Sequence, residues 1–262
     1  MEDDDKHVRF DAVDRAVSIL GVLGAATSPM SLSRIAREVE LGQPTTSRYL
    51  ASLVGHGYVE KDEHGHYMLG IGLYLLGQKA LHHRDARRLA RPHLEALHSR
   101  YNETVSFALR VNGELVVIDC IEAMRALKQG ASVGVQNPWH ASSLGKSILA
   151  WLPNSEVSKL LAGPSLERFT PKTLVSHGAL KGEFPKIRKL GYAVDDEESS
   201  LGGRCVGAPI FDASGTPIGA ISISGPISRV RSEEISSTGE AIAGAAQEIS
   251  SALGYQARLA SE

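Results

Sequence analysis

Gln43-Pro44-Thr45-Thr46-Ser47-Arg48-Tyr49-Leu50-Ala51-Ser52-Leu53-Val54-Gly55-His56-Gly57-Tyr58-Val59-Glu60-Lys61 is the stretch that decides the reading of this 262-residue chain. Proline is pre-set for the first helical position, so Pro44 opens a helix that runs to about His56. Thr46, Tyr49, Leu50, Leu53 and Val54 then fall on one face, and Thr45, Ser47, Arg48 and Ser52 on the other. That second face carries small hydroxyls and one guanidinium. Such a surface suits a major groove, because hydroxyls approach phosphates and base edges closely and Arg grips guanine or phosphate with two hydrogen bonds. Gly57 ends the helix, Tyr58 to Lys61 reads as a strand, Asp62-Glu63-His64-Gly65 as a turn, and His66 to Leu69 as the returning strand.

Upstream, Ser31 or Ser33 can cap a short helix whose Leu32, Ile35, Ala36 and Val39 form its buried face, and Leu41-Gly42 breaks it. Two short helices across a Gly-containing turn make a helix-turn-helix. Arg34, on the first of them, joins Thr45, Ser47, Arg48 and Ser52 as a DNA-contact candidate. Further upstream Val13, Ala16, Val17, Leu20 and Leu23 recur at helical spacing and give an opening helix with one apolar stripe. Residues 11–69 therefore read as a winged helix-turn-helix for duplex DNA. It is not a basic clamp: from Lys6 to Leu69 seven Lys and Arg face seven Asp and Glu.

Downstream, Ile71, Leu73, Tyr74, Leu75, Leu76 and Ala80 make a helix too apolar to stand alone in water, so residues 70–88 read as a linker that pairs with a second copy. Pairing suits the DNA reading, since two helix-turn-helix units read half-sites one helical turn or a multiple apart. From residue 89 to 256 the pattern mixes helices and hairpins. Strands are expected at 105–111, 115–121, 126–133, 204–211 and 217–224, and helices at 89–101, 143–151, 154–162, 177–190 and 232–253. Hairpin-joined strands with helices grouped between them indicate an antiparallel α+β domain.

A formal net charge of −2 excludes bulk electrostatic coating of nucleic acid. No run of apolar residues is long enough to span a bilayer, and the acidic start is unlike a signal peptide, so a cytoplasmic location is expected, with no membrane partner. Glu2-Asp3-Asp4-Asp5-Lys6 resembles a protease-site tag and is left out of the fold reading. Cys120 and Cys205 stand far apart in no metal-like spacing. Neither a disulfide nor a metal site is expected.

Enzymatic motifs fail one by one. His140-Ala-Ser-Ser-Leu-Gly145-Lys146-Ser147 ends like a phosphate-binding loop, but His140 replaces the glycine that lets the backbone wrap phosphate. Gly70-Ile71-Gly72 lacks the third glycine of a dinucleotide loop, as Leu75 stands in its place. There is no nucleophile elbow and no zinc-protease motif. Asp195-Asp196-Glu197-Glu198 reads as a solvated loop. No catalytic residue and no cofactor are expected.

Five stretches carry a resemblance: Asp11 to Leu20, Leu32 to Ala36, His140 to Lys146, Gly191 to Glu198, and Ser222 to Pro226. Together they are similar to the IclR family of bacterial transcriptional regulators, over nearly the whole chain. The resemblance implies a winged helix DNA-binding domain joined by a helix to a GAF-like effector-binding domain. It implies a dimer or tetramer that binds double-stranded operator DNA and senses a small-molecule effector, often a carboxylate. Ser143, Leu144, Asp196, Cys205, Ser222 and Ser224 match effector-pocket positions, with Leu127 and Gln129 nearby, and Trp139 departs from a smaller residue common at its place. Aromatic acids and small keto acids are both open as signals. The competing reading is a metabolite-binding module whose DNA-binding domain is vestigial.

Overall fold

A computed structural model describes residues 11–82, 85–126, 128, 130–163 and 165–256. The chain divides into two units, Met1–His83 and Arg84–Glu262. In the first, α1 (Asp11–Ala25), α2 (Leu32–Glu38) and α3 (Gln43–Gly55) precede a hairpin of β1 (Val59–Lys61) and β2 (Tyr67–Leu69), followed by α4 (Ile71–His82). Ser31 caps α2, its hydroxyl accepting from the Arg34 amide at 3.4 Å. Pro44 stands in the first turn of α3, and the Thr46 hydroxyl donates to the Gly42 carbonyl at 3.1 Å.

Ile19, Leu23, Met30, Ile35, Leu50, Leu53, Val59 and Tyr67 form one apolar core. Met30 exchanges two backbone hydrogen bonds with Tyr67, at 2.9 and 2.8 Å, which ties the turn before α2 to the hairpin. The stripe expected on α1 is displaced. Ile19 and Leu23 are its buried residues, whereas Val13 and Val17 stay exposed, because the core lies against the later turns of the helix. On α3, Thr46, Leu50 and Leu53 are buried, while Val54, expected inside, is exposed.

Gly70 and Gly72 have a mechanical role. Their amides donate to the Tyr58 and Gly57 carbonyls, each at 2.9 Å. A Cβ at either position would stand 2.4 or 2.5 Å from the Gly57 oxygen, so these glycines let the start of α4 dock on the turn after α3.

The second unit starts with α5 (Asp85–Tyr101), four residues earlier than the sequence pattern predicts. Residues 83 and 84, inside the expected linker, lie outside the described residues. A five-stranded antiparallel sheet follows, in the order β4-β3-β7-β6-β5, built from β3 (Thr104–Val111), β4 (Glu114–Ile121), β5 (Ala193–Asp196), β6 (Gly203–Phe211) and β7 (Pro217–Pro226). Between β4 and β5 come α6 (Ser143–Leu149), α7 (Asn154–Leu160) and α8 (His177–Leu190), and α9 (Ile235–Ala252) ends the fold. Ala108, Ala193 and Ala220 share a core with Leu144, Ile148, Leu180 and Ile187 of α6 and α8. Their strand neighbours Phe107 and Ile221 alternate to the other face, and α5 and α9 pack side by side against strands β3 and β6. Helices on both faces leave all nine residues of β6 buried.

Two expectations fail here. No strand forms among the described residues of 126–133. Instead residues 134–137 run along the free edge of β4, bonded through Val117 to Val135 at 3.0 Å and Asn137 to Leu115 at 2.8 Å, where Gly134 at φ +89 and Pro138 prevent a regular ladder. Ser232–Glu234 forms a separate 3₁₀ turn before α9 rather than its first turn.

Candidate DNA-binding face and ligand cavity

Thr45, Arg48 and Ser52 lie at three- and four-residue spacing along α3, opposite the buried Thr46, Leu50 and Leu53. Arg48 and Ser52 are exposed, Thr45 and Ser47 are half-buried, and Arg34 is exposed on α2. Among the described residues the guanidinium groups of Arg34 and Arg48 have no carboxylate partner. The hairpin turn is fixed locally: Asp62 Oδ1 accepts from the His64 and His66 amides at 2.9 and 2.8 Å, chiefly the latter holding its carboxyl below the usual range. Lys61 Nζ sits 5.3 Å from the Tyr67 ring centroid. The face thus sets hydroxyls and guanidinium groups of two helices in one unit with a pinned hairpin.

In the second unit, one face of the sheet is small and polar where the other is aliphatic. Ser222 and Ser224 of β7 pair with Ser106 and Thr104 of β3, and with Gly207 and Cys205 of β6. Gly207 lets α6 lie against this face, since a Cβ there would stand 2.9 Å from the Ser143 backbone. Between sheet and helix lies a cavity of about 70 Å³ whose lining includes Ser143, Leu144, Cys205, Ser222, Ser224 and Asp195, together with Ser106, Ser142, Asn137 and Ser199. Ser142 caps α6, its hydroxyl accepting from the Gly145 amide at 3.0 Å. Burial pushes the Cys205 thiol up to about 12, so it is a neutral lining group.

Two of the sequence candidates are placed elsewhere. Asp196 alternates away from the cavity on β5 and pairs with Arg204 at 2.7–2.8 Å; its neighbour Asp195 is the carboxylate that lines the cavity. Trp139 is core: its Nε1 donates to the Gly113 carbonyl at 2.9 Å and its ring joins the apolar cluster of α6 to α8. Leu127 and Gln129 lie outside the described residues. Sequence reasoning missed Asp195 and Ser106. The period-two alternation that found Ser222 and Ser224 would have found Ser106 and Thr104 on β3, and Asp195 with Ala193 on β5.

The four acids of 195–198 are not a solvated loop. Asp195 and Glu198 are buried, and Glu198 pairs with Lys146 of α6, whose side chain is 1% exposed. Asp195 accepts from the Glu198 amide at 2.8 Å, the Ser199 amide at 3.2 Å and the Ser199 hydroxyl. Burial outweighs these bonds and holds the carboxyls of both Asp195 and Glu198 above their usual range. A carboxyl whose folded pKa is raised binds its proton more tightly when folded, so its share of stability declines as pH rises from its ordinary value through the folded one. Asp195→Asn keeps the acceptor oxygen and abolishes the titration. Urea melts from pH 4.5 to 8 should show the variant gaining on the wild type as pH rises; a difference that moves the opposite way refutes the assignment.

A winged helix-turn-helix in one unit and an α+β sheet with a polar internal cavity in the other are the parts of a ligand-responsive DNA-binding regulator. Comparison with known proteins agrees. Residues 12–63 match the IclR helix-turn-helix domain, and residues 78–251 match the bacterial transcriptional regulator IclR C-terminal domain. The chain is 35% identical over 249 residues to the HTH-type transcriptional repressor AllR of Escherichia coli (strain UTI89 / UPEC), covering 95% of this chain and 92% of that one. Thermotoga maritima IclR superposes with a TM-score of 0.74 at 33% identity, over 94% of this chain and all of that structure. An IclR homolog complexed with 4-hydroxybenzoate, from Microbacterium hydrocarbonoxydans, gives a TM-score of 0.79 at 26% identity, over 92% and 98%. The chain belongs to the IclR family of bacterial transcriptional regulators. It is a DNA-binding regulator of transcription and not an enzyme. No helix among the described residues is long and apolar enough to cross a membrane.

Proposed function

We propose that the chain senses a small organic acid in the cavity between α6 and β7 and that occupancy changes the affinity of α3 for operator DNA. The convergence of Ser106, Ser143, Ser222, Ser224, Cys205 and Asp195 on one buried space carries this reading. Serine hydroxyls both donate and accept, so they hold a carboxylate at one end of a ligand and a hydroxyl or carbonyl at the other. A keto or hydroxy acid of few carbons and a hydroxylated aromatic acid both present such groups, and an IclR homolog complexed with 4-hydroxybenzoate is a relative that takes the second kind.

On the DNA side, Arg48 and Arg34 supply the cationic contacts, and Thr45, Ser47 and Ser52 the close hydroxyl contacts. Self-association supplies the rest of the affinity. Ile71, Tyr74, Leu75 and Leu76 of α4 are each more than half exposed in the single chain, as are Val13 and Val17 of α1, and a second copy covers them. The proteins form at least a dimer on this reading, with two recognition helices spaced for successive half-sites.

Calorimetric titration with pyruvate, lactate and 4-hydroxybenzoate tests the sensor. One of the three acids should bind, and Ser222→Ala/Ser224→Ala should weaken it by roughly tenfold or more, as expected for losing hydrogen bonds to a charged group. Equal binding by wild type and variant would place the ligand elsewhere.

A further inference from the structure

On the sheet face opposite Ser222 and Ser224, where Ile223 points, a second hollow of about 340 Å³ opens. The end of α5 gives it Arg100 and Tyr101, the segment after β4 gives Arg125, and the chain from β7 to α9 gives Arg229 and Arg231. One wall is fixed. Arg229 grips Glu103 through two hydrogen bonds, one of 2.9 Å from Nη2 to Oε2, and Gly225 makes room for that carboxylate, since a Cβ there would lie 2.6 Å from Oε2. The Arg100 guanidinium stacks 5.1 Å from the Tyr101 ring centroid.

Three of the other lining side chains are unmatched among the described residues. The Tyr101 hydroxyl is buried and has no hydrogen-bond partner among the described residues, which is rare for a buried donor. Arg125 and Arg231 have no carboxylate partner among the described residues, and Glu234 is the one lining acid besides Glu103. Four arginines against two glutamates leave two positive charges in excess around a concave space of ligand size. A guanidinium prefers oxyanions that present two acceptors.

We propose that this hollow is a second ligand site, for a small polyanion such as a phosphate monoester or a polycarboxylate. Arg125 and Arg231 bind its charged groups, and Arg100, held over the Tyr101 ring, adds a third cation at the rim. A concave hollow admits a compact molecule and not the convex backbone of a duplex. The site is separate from the cavity between α6 and β7, and its ligand bears on a different face of the same sheet.

Calorimetry on the full chain at fixed ionic strength tests this, with glycerol 1-phosphate and citrate as probes and acetate as the monoanion control. One of the two polyanions should bind saturably and acetate should not; which one binds separates the phosphate from the carboxylate source. Arg125→Ala/Arg231→Ala, two exposed positions outside either core, should weaken binding at least tenfold with an unchanged melting temperature. Ser222→Ala/Ser224→Ala should leave it intact, so failure of the effector reading and of this one are distinguishable. The proposal is overturned if neither polyanion binds, if the arginine pair has no effect, if the serine pair abolishes binding, or if the arginine pair changes duplex affinity alone.

Discussion

Lys146→Met should destabilise the C-terminal unit by about 3–5 kcal/mol at pH 7, the range for removing one partner of a buried ion pair. Lys146 is nearly inaccessible, and its ammonium is the cation that faces Glu198, whose other oxygen already lacks a partner among the described residues. Asp195 adds a second buried carboxylate close by. Methionine preserves the packing of the stem and removes the charge, leaving two buried acids with no cation. Both tryptophans, Trp139 and Trp151, lie in this unit, so their fluorescence in urea reports it alone. The deficit should shrink as pH falls and the two carboxyls, whose pKa values burial already raises, take up protons. A cost under about 1 kcal/mol at pH 7 would mean the pair contributes nothing beyond a surface contact.

Gly145→Ala should be nearly as damaging, with a sign opposite to helix propensity. In a helix interior this exchange ordinarily stabilises by up to about 1 kcal/mol. Here a Cβ would lie 2.2 Å from the Trp139 carbonyl oxygen and 2.6 Å from its Cα, both backbone atoms that no rotamer change removes. Helix α6 must therefore back away from the segment that precedes it, at a cost of about 3 kcal/mol for an overpacked site. Ser143 and Leu144 move with it, so ligand affinity falls along with stability. The same urea titration and calorimetry check both effects. A neutral or stabilising result would show that α6 is free to shift, and the cavity with it.

The sequence disclosed most of the elements because their local signals agree with their tertiary roles. Pro44 and Gly57 bracket α3, Asn112-Gly113 turns β3 into β4, and α8 spans the predicted 177–190 between the Ser176 cap and a left-handed Gly191. What it concealed was decided by partners remote in sequence. Val13 and Val17 carry the same periodicity as Leu23, and only the position of the core chooses among them. Asp195 and Asp196 are chemically identical, and the pairing of β5 with β6 alone turns the first inward to the cavity and the second outward to Arg204. A run of four acids reads as solvated until Lys146, 52 residues away from Glu198 in the chain, is seen to be buried against it. Trp139 likewise became core because Gly113 offers its indole an acceptor.

The central claim is that occupancy of the cavity between α6 and β7 controls the grip of α3 on DNA. Fluorescence anisotropy with duplex from upstream of the chain's own reading frame tests it most directly, with and without a saturating acid found by calorimetry. The wild-type Kd should shift by roughly 5–150-fold on adding ligand, the usual span of allosteric coupling. Ser222→Ala/Ser224→Ala should hold the unliganded Kd and lose the shift. Arg48→Ala should weaken the unliganded complex by about 1–3 kcal/mol, the worth of a bidentate base contact. Binding no tighter than to scrambled duplex, or a bound acid that leaves the Kd unmoved, would contradict the account.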